Sequence, residues 1–161
     1  MAEQTERIDA VFVYGTLKRG QCRESLWPVE PREVLASWVR GTLFGRADYP
    51  ALMTGTHRVC GELWGFHCED MPRVLEVLDA IEGTSGNSPE DLYHRRVVDV
   101  FMADCHRNCR AYTYFYNRDP LADRFTEVPV FEGGQSMGGQ SMGGQGKRSQ
   151  CWPVASPPPN G

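Results

Sequence analysis

Apolar positions fall along this chain in two rhythms. Ala10-Val-Phe-Val-Tyr14 is a short apolar run closed by Gly15, the pattern of a strand buried on both faces. Ser37 to Phe44 and Arg58 to Phe66 are rich in Val, Trp, Leu and Phe. They also carry Gly41, Gly61 and Gly65, the punctuation of strands that bend around a small barrel. Tyr93 to Ala103 and Arg110 to Tyr116 are aromatic and β-branched runs joined by a polar stretch, which predicts an antiparallel hairpin. In its second arm Tyr112, Tyr114 and Tyr116 alternate with Thr113 and Phe115, so one face is tyrosine-rich, as a packed barrel wall would be.

The second rhythm is helical. Val74, Leu75, Leu78 and Ile81 gather on one face at 3.6 residues per turn, which predicts a helix from about Met71 to Ile81. Asp70 stands where an N-cap is expected, Pro72 lies in the first turn, and Gly83 follows the end. Glu82 comes four residues after Leu78 and seven after Leu75, so the same geometry puts a carboxylate on the apolar stripe. Loss of water and the negative end of the helix dipole both disfavour its ionised form, and its pKa is expected to rise. A glutamate tuned toward neutrality can take a proton as general base and return it as general acid. The alternative is that the helix frays at Ile81 and Glu82 turns to solvent.

Composition changes sharply after Glu132, where Gly-Gly-Gln-Ser-Met occurs twice in tandem before a proline-rich end. Such a segment buries too little apolar area to offset its ordering entropy. The domain reading is therefore a polar N-terminal extension over 1–9, one folded domain over 10–132, and a disordered tail over 133–161 in which Cys151 and Trp152 are the only sticky point. The formal net charge of −4 argues against a nucleic-acid partner. No long apolar run or export-type leader is present in the sequence, so no membrane partner is expected and the protein reads as cytoplasmic, its six cysteines mostly free thiols. It also reads as a monomer, since no amphipathic stretch remains once the core is assigned.

The candidate chemistry beside Glu82 lies in Tyr14-Gly-Thr-Leu-Lys-Arg-Gly20, a turn opened and closed by glycines. Such a turn lets several backbone N–H groups converge on an anion, although the same spacing also serves an ordinary strand-to-helix connection. It lacks the Gly-Lys-Ser/Thr ending of a phosphate-binding P-loop. Cys105, His106 and Cys109, or Cys60, His67 and Cys68, suggest zinc only faintly, because paired short Cys-x-x-Cys spacings are missing. Cys22 has no His or Asp at a recognisable partner spacing, so it reads as a helix-start residue rather than a nucleophile.

Val11-Phe-Val-Tyr-Gly-Thr-Leu-Lys-Arg-Gly20 resembles the signature of the gamma-glutamyl cyclotransferase superfamily, especially its gamma-glutamylamine cyclotransferase branch. The likeness continues through Tyr49-Pro50, Gly61-Glu-Leu-Trp64, Leu78-Asp-Ala-Ile-Glu82, Tyr93-His-Arg-Arg-Val-Val98 and Ala111-Tyr-Thr-Tyr114, in the expected order. The resemblance implies an α+β fold, a small mixed β-barrel flanked by a few α-helices. It implies Glu82 as the catalytic acid/base, backbone amides of Gly15, Thr16 and Leu17 on the glutamyl group, and Tyr14, Tyr93 and Tyr114 lining the pocket. The amides would hold either a carboxylate or the developing oxyanion. The implied reaction closes a gamma-glutamyl amide into 5-oxoproline with release of an amine, and requires no metal or organic cofactor. The insertion Thr84 to Asp91 and the repetitive tail depart from the family pattern; the insertion is expected to flank the pocket mouth. A small-molecule-binding or interaction protein with the same fold is the competing reading.

Overall fold

The computed structural model describes residues 7–103, 107–132 and 148–152. The expected strands form, and most are longer than the apolar runs that announce them. They are β1 (Ala10–Val13), β2 (Glu33–Gly45), β3 (Pro50–Gly65), β4 (Tyr93–Met102) and β5 (Asn108–Tyr116). The added lengths of β2 and β3 are their paired ends, where the ladder continues from Glu33↔Gly65 to Gly45↔Pro50 past a register shift at Gly41/Thr42.

Neighbours run in the order β2, β4, β5, β1, β3, and β3 pairs back onto β2, which closes a five-stranded barrel. Closure gives each of these strands a neighbour on both sides, although β2 meets β4 only at Ser37↔Met102 and Trp38↔Phe101. The barrel is mixed because β1 runs parallel to β5 but antiparallel to β3. β4 and β5 form the expected hairpin, in register from Tyr93↔Tyr116 to Phe101↔Asn108.

All four residues of β1 are buried. Ala10, Phe12 and the adjoining Tyr14 pack with Val39, Leu43, Leu52 and Val59 in one cluster, while Val11 and Val13 pack with Val74 and Leu78 in another. The period-two alternation thus serves two cores, and each fully buried apolar side chain contributes on the order of 1.5–3 kcal/mol.

The helix, α1 (Met71–Glu82), is the only α-helix among the described residues, accompanied by two short 3₁₀ turns at Glu24–Leu26 and Cys68–Asp70. It runs one residue beyond the expected end and so takes in Glu82. Asp70 occupies the N-cap position, but its backbone is αR and its side chain makes no capping bond, because the preceding 3₁₀ turn already feeds the helix. Gly83 ends it in the left-handed region, φ 71°, and its N–H returns to Asp79 O.

Two features differ from the sequence-based expectation. Residues 148–152 do not behave as a tail: β8 (Arg148–Gln150) pairs in parallel with β3, and Gln150 and Trp152 are buried. Cys60 and Cys151 are joined as a disulfide, whereas Cys22, Cys68 and Cys109 are free. Two short strands, β6 (Thr126–Glu127) on β2 and β7 (Phe131–Glu132) on β8, extend the sheet. The remaining parts of the expected extension and tail, residues 1–6, 133–147 and 153–161, lie outside the described residues, as do Cys105 and His106. No helix among the described residues is long and apolar enough to cross a membrane.

Candidate active site

The site is built where β1 ends. Beyond Val13 the chain turns through Tyr14–Gly20, and this turn is tied down by its own residues and by β3. Lys18 N–H donates to Gly15 O at 3.1 Å, Arg23 N–H to Thr16 O at 2.8 Å, and Trp27 Nε1–H to Leu17 O at 2.9 Å. Trp27 is itself stacked on Trp64 with ring centroids 4.4 Å apart. Glu62 accepts Arg19 N–H at 2.8 Å, so the Gly61–Trp64 segment supplies both a stacking platform and a carboxylate clamp.

Gly15 owes its place to packing. A Cβ there would lie 2.7 Å from Cγ of Pro50, closer than side-chain atoms tolerate. The amides of Lys18, Arg19, Gly20 and Arg23 are committed to Gly15 O, Glu62, Glu24 and Thr16 O. Those of Gly15, Thr16 and Leu17 have no protein acceptor among the described residues.

These three residues open on a cavity of about 250 Å³, whose other lining includes Tyr14, Glu82, Tyr93 and Tyr114. All the site residues expected from sequence therefore meet in one concavity. Glu82 arrives from the last turn of α1, next to Ile81. Its carboxyl is only partly accessible, and desolvation pushes its pKa up to about 7 against a smaller opposing effect of the Arg23 guanidinium.

The tyrosines are held in fixed roles. Tyr14 OH donates to Tyr114 O at 2.6 Å and Tyr93 OH to Pro50 O at 2.8 Å. Tyr114 OH donates to Asp79 at 2.7 Å. Burial drives all three phenols above their usual range, so they remain protonated donors at neutral pH. Among the described residues lining the cavity, Glu82 is then the group poised to exchange a proton near pH 7.

Residue-by-residue reading missed three parts of the site. Asp79, one turn before Glu82, grips both Tyr114 and Arg95, the latter at 2.5 Å, and so sets the ring beside the acid. Its position at i−3 from Glu82 was a usable signal. Pro50 presents its ring to Gly15 and its carbonyl to Tyr93. Arg23 lines the cavity with its charge near Glu82. The Thr84–Asp91 loop does not line the cavity; Asp91 folds it on itself by accepting from Ser85 N–H and Ser88 N–H at 2.7 and 2.8 Å, and only the following Leu92 reaches the lining.

The family described as "Gamma-glutamyl cyclotransferase, AIG2-like" matches residues 11–133, which takes in β1, the glycine turn, α1 and the hairpin. The chain belongs to this family. Solved structures agree on the fold. An AIG2-like protein of Mus musculus superposes with a TM-score of 0.54 at 20% identity, over 72% of this chain and 82% of its own. A protein of Arabidopsis thaliana gives 0.53 at 23% identity, over 73% and 76%. YkqA of Bacillus subtilis gives 0.53 at 21% identity over 74% of this chain, which spans only 37% of YkqA. At such identities the likeness fixes the AIG2-like barrel and nothing finer. No curated protein matches the chain by sequence.

Proposed function

We propose that the protein is a cyclotransferase that cleaves gamma-glutamyl amides, releasing 5-oxoproline and a free amine. The observation that carries this reading is a carboxyl with a pKa of about 7, Glu82, sharing a small cavity with the uncommitted amides of Gly15, Thr16 and Leu17. Family membership supports it.

In this reading Glu82 accepts a proton from the substrate's α-amine as the nitrogen attacks the γ-carbonyl carbon. A new C–N bond closes the five-membered ring, and the carbonyl oxygen becomes an oxyanion within reach of the turn amides. The oxyanion then collapses, the original C–N bond breaks, and Glu82 returns its proton to the leaving amine. Nucleophile and electrophile belong to one molecule, so folding the glutamyl chain into attack geometry supplies much of the acceleration. Each oriented N–H on the oxyanion adds on the order of 3 kcal/mol.

The test is 5-oxoproline release from a panel of gamma-glutamyl amides, quantified by mass spectrometry. Product from at least one member is expected. Binding of panel members with no product at any pH would instead make the protein a binding module on a cyclotransferase fold.

A further inference from the structure

A second cavity, of about 460 Å³, has no part in the reaction just described. Arg58, Cys60 and Glu62, alternate residues of β3, share the strand face that lines it. Lys18 and Arg19 reach it from the glycine turn, and Ser149 from β8. Three cations thus surround the cavity against one carboxylate, Glu62, which Arg19 already engages. The Cys60–Cys151 disulfide lies in its wall and joins residues 91 positions apart. Both cysteines are half-buried, so the bond is within reach of a small thiol. A thiolate leaving from Cys60 forms beside Lys18, Arg19 and Arg58, which stabilise its charge and make Cys60 the better leaving group. The favoured point of attack is therefore Sγ of Cys151.

The segment that carries Cys151 has little else to hold it. Its ladder with β3 has two register positions, Arg58↔Ser149 and Val59↔Gln150, and among the described residues β7 joins the sheet through β8 alone. We infer that Cys60–Cys151 is an exchangeable disulfide, a site of modification by dithiols at this cationic cavity, whose reduction releases residues 148–152 from β3. The dithiol is the co-reactant. Its first thiolate bonds to Sγ of Cys151, the Cys60–Cys151 bond breaks, and Cys60 departs as a thiolate that takes up a proton. The second thiol of the reductant then attacks the mixed disulfide as its thiolate and expels Cys151, which is protonated in turn. Two electrons and two protons pass to the protein, and the dithiol becomes a disulfide. Release frees Lys18 Nζ from Trp152 O and uncovers the edge of β3 at Arg58 and Val59. The inference needs no turnover and stands apart from the cyclotransferase reading.

The experiment incubates the air-oxidised full chain with dithiothreitol, alkylates samples with iodoacetamide at intervals, and maps the labelled cysteines by mass spectrometry beside hydrogen exchange. Cys60 and Cys151 should become labelled together while the β4–β5 hairpin keeps its protection. Exchange at residues 148–152 should rise by about 100-fold or more. Once reduced, Cys60 should alkylate faster than Cys109, whose thiol burial pushes up. Arg58→Gln should slow the reduction severalfold. Cys151→Ser should show the released exchange without reductant, with hairpin protection reporting a folded barrel; the reduced wild-type chain gives the same reading without a substitution. A bond absent from the oxidised protein, or one that resists dithiothreitol until the hairpin also opens, overturns the inference. So does a segment that keeps its protection after reduction. A rate unchanged in Arg58→Gln, or a Cys60 no faster than Cys109, removes the cationic cavity from the exchange and the proposed site with it.

Discussion

The turn at Tyr14–Gly20 and the segment at 148–152 are both short, both packed against β3, and opposite in how they are encoded. The turn is held by many local bonds, within itself and to Trp27, which follows closely in sequence. The C-terminal segment depends on a few long-range contacts. Leu43 N–H donates to Gln150 Oε1 at 2.7 Å, and Gln150 Nε2 donates to Val128 O at 2.7 Å. Trp152 Nε1 donates to Arg46 O at 3.1 Å, its ring packed at Gly45. The two meet at a single hydrogen bond, from Lys18 Nζ to Trp152 O at 2.5 Å. Local bonding leaves a readable motif, whereas a docked strand with three ladder residues leaves almost none.

The comparison implies that the chemistry is concentrated at the turn and the helix end, while the C-terminal segment contributes stability. Glu82→Gln should show the largest effect, a loss of about 10³-fold or more in kcat with the fold intact, since the amide fills the same volume but carries no exchangeable carboxyl proton. In the wild-type protein kcat/KM should rise with an ascending limb near pH 7, where Glu82 becomes the base. A near wild-type rate for Glu82→Gln ends the mechanism.

Gly15→Ala should come next. Its methyl would press on the Pro50 ring at 2.7 Å, displacing the turn amides from the carboxyl, with an expected drop of about 10²-fold in kcat/KM. Full activity would mean that the turn yields without cost.

Gln150→Ala tests the other region. It strips a buried partner from Leu43 N–H and Val128 O and should cost about 2 kcal/mol in chemical unfolding, with kcat retained. A fall in kcat as large as that of Gly15→Ala would erase the contrast between the regions and make the Lys18 contact part of the site's support.

The smallest effect concerns stability and has the opposite sign. Glu82 has a folded-state pKa of about 7 against an ordinary 4.5, so the folded chain holds a proton that the unfolded chain has lost between those values. The penalty is absent below about pH 4.5, grows through that window and is complete above pH 7. Glu82→Gln should therefore stabilise the protein at pH 8 by on the order of 1 kcal/mol, the group's partial exposure being discounted, and do nothing at pH 4. An equal gain at both pH values would trace the effect to packing instead.

Much of this molecule is legible in its sequence. The apolar run at Ala10–Val13, the glycine-bent strands and the Tyr93–Tyr116 hairpin reported the barrel, because burial on a pleated wall selects those residues one by one. The stripe from Val74 to Glu82 placed a carboxyl on the apolar face of the helix, because helical periodicity fixes which way each side chain faces, and the family resemblance favoured this over a frayed end. Barrel closure decided the rest. It brings Tyr14 to Tyr114 across 100 positions, while the docking of β8 on β3 brings Leu43 to Gln150 across 107, and no local pattern records such pairs. Asp79 under Tyr114, Pro50 against Gly15 and Arg23 at the cavity wall acquired their roles in the same way. The sequence by itself determined which residues turn inward; only the closed barrel determined what each of them meets, because contacts between distant segments are chosen by the packing of whole elements and not by the neighbours of any one residue.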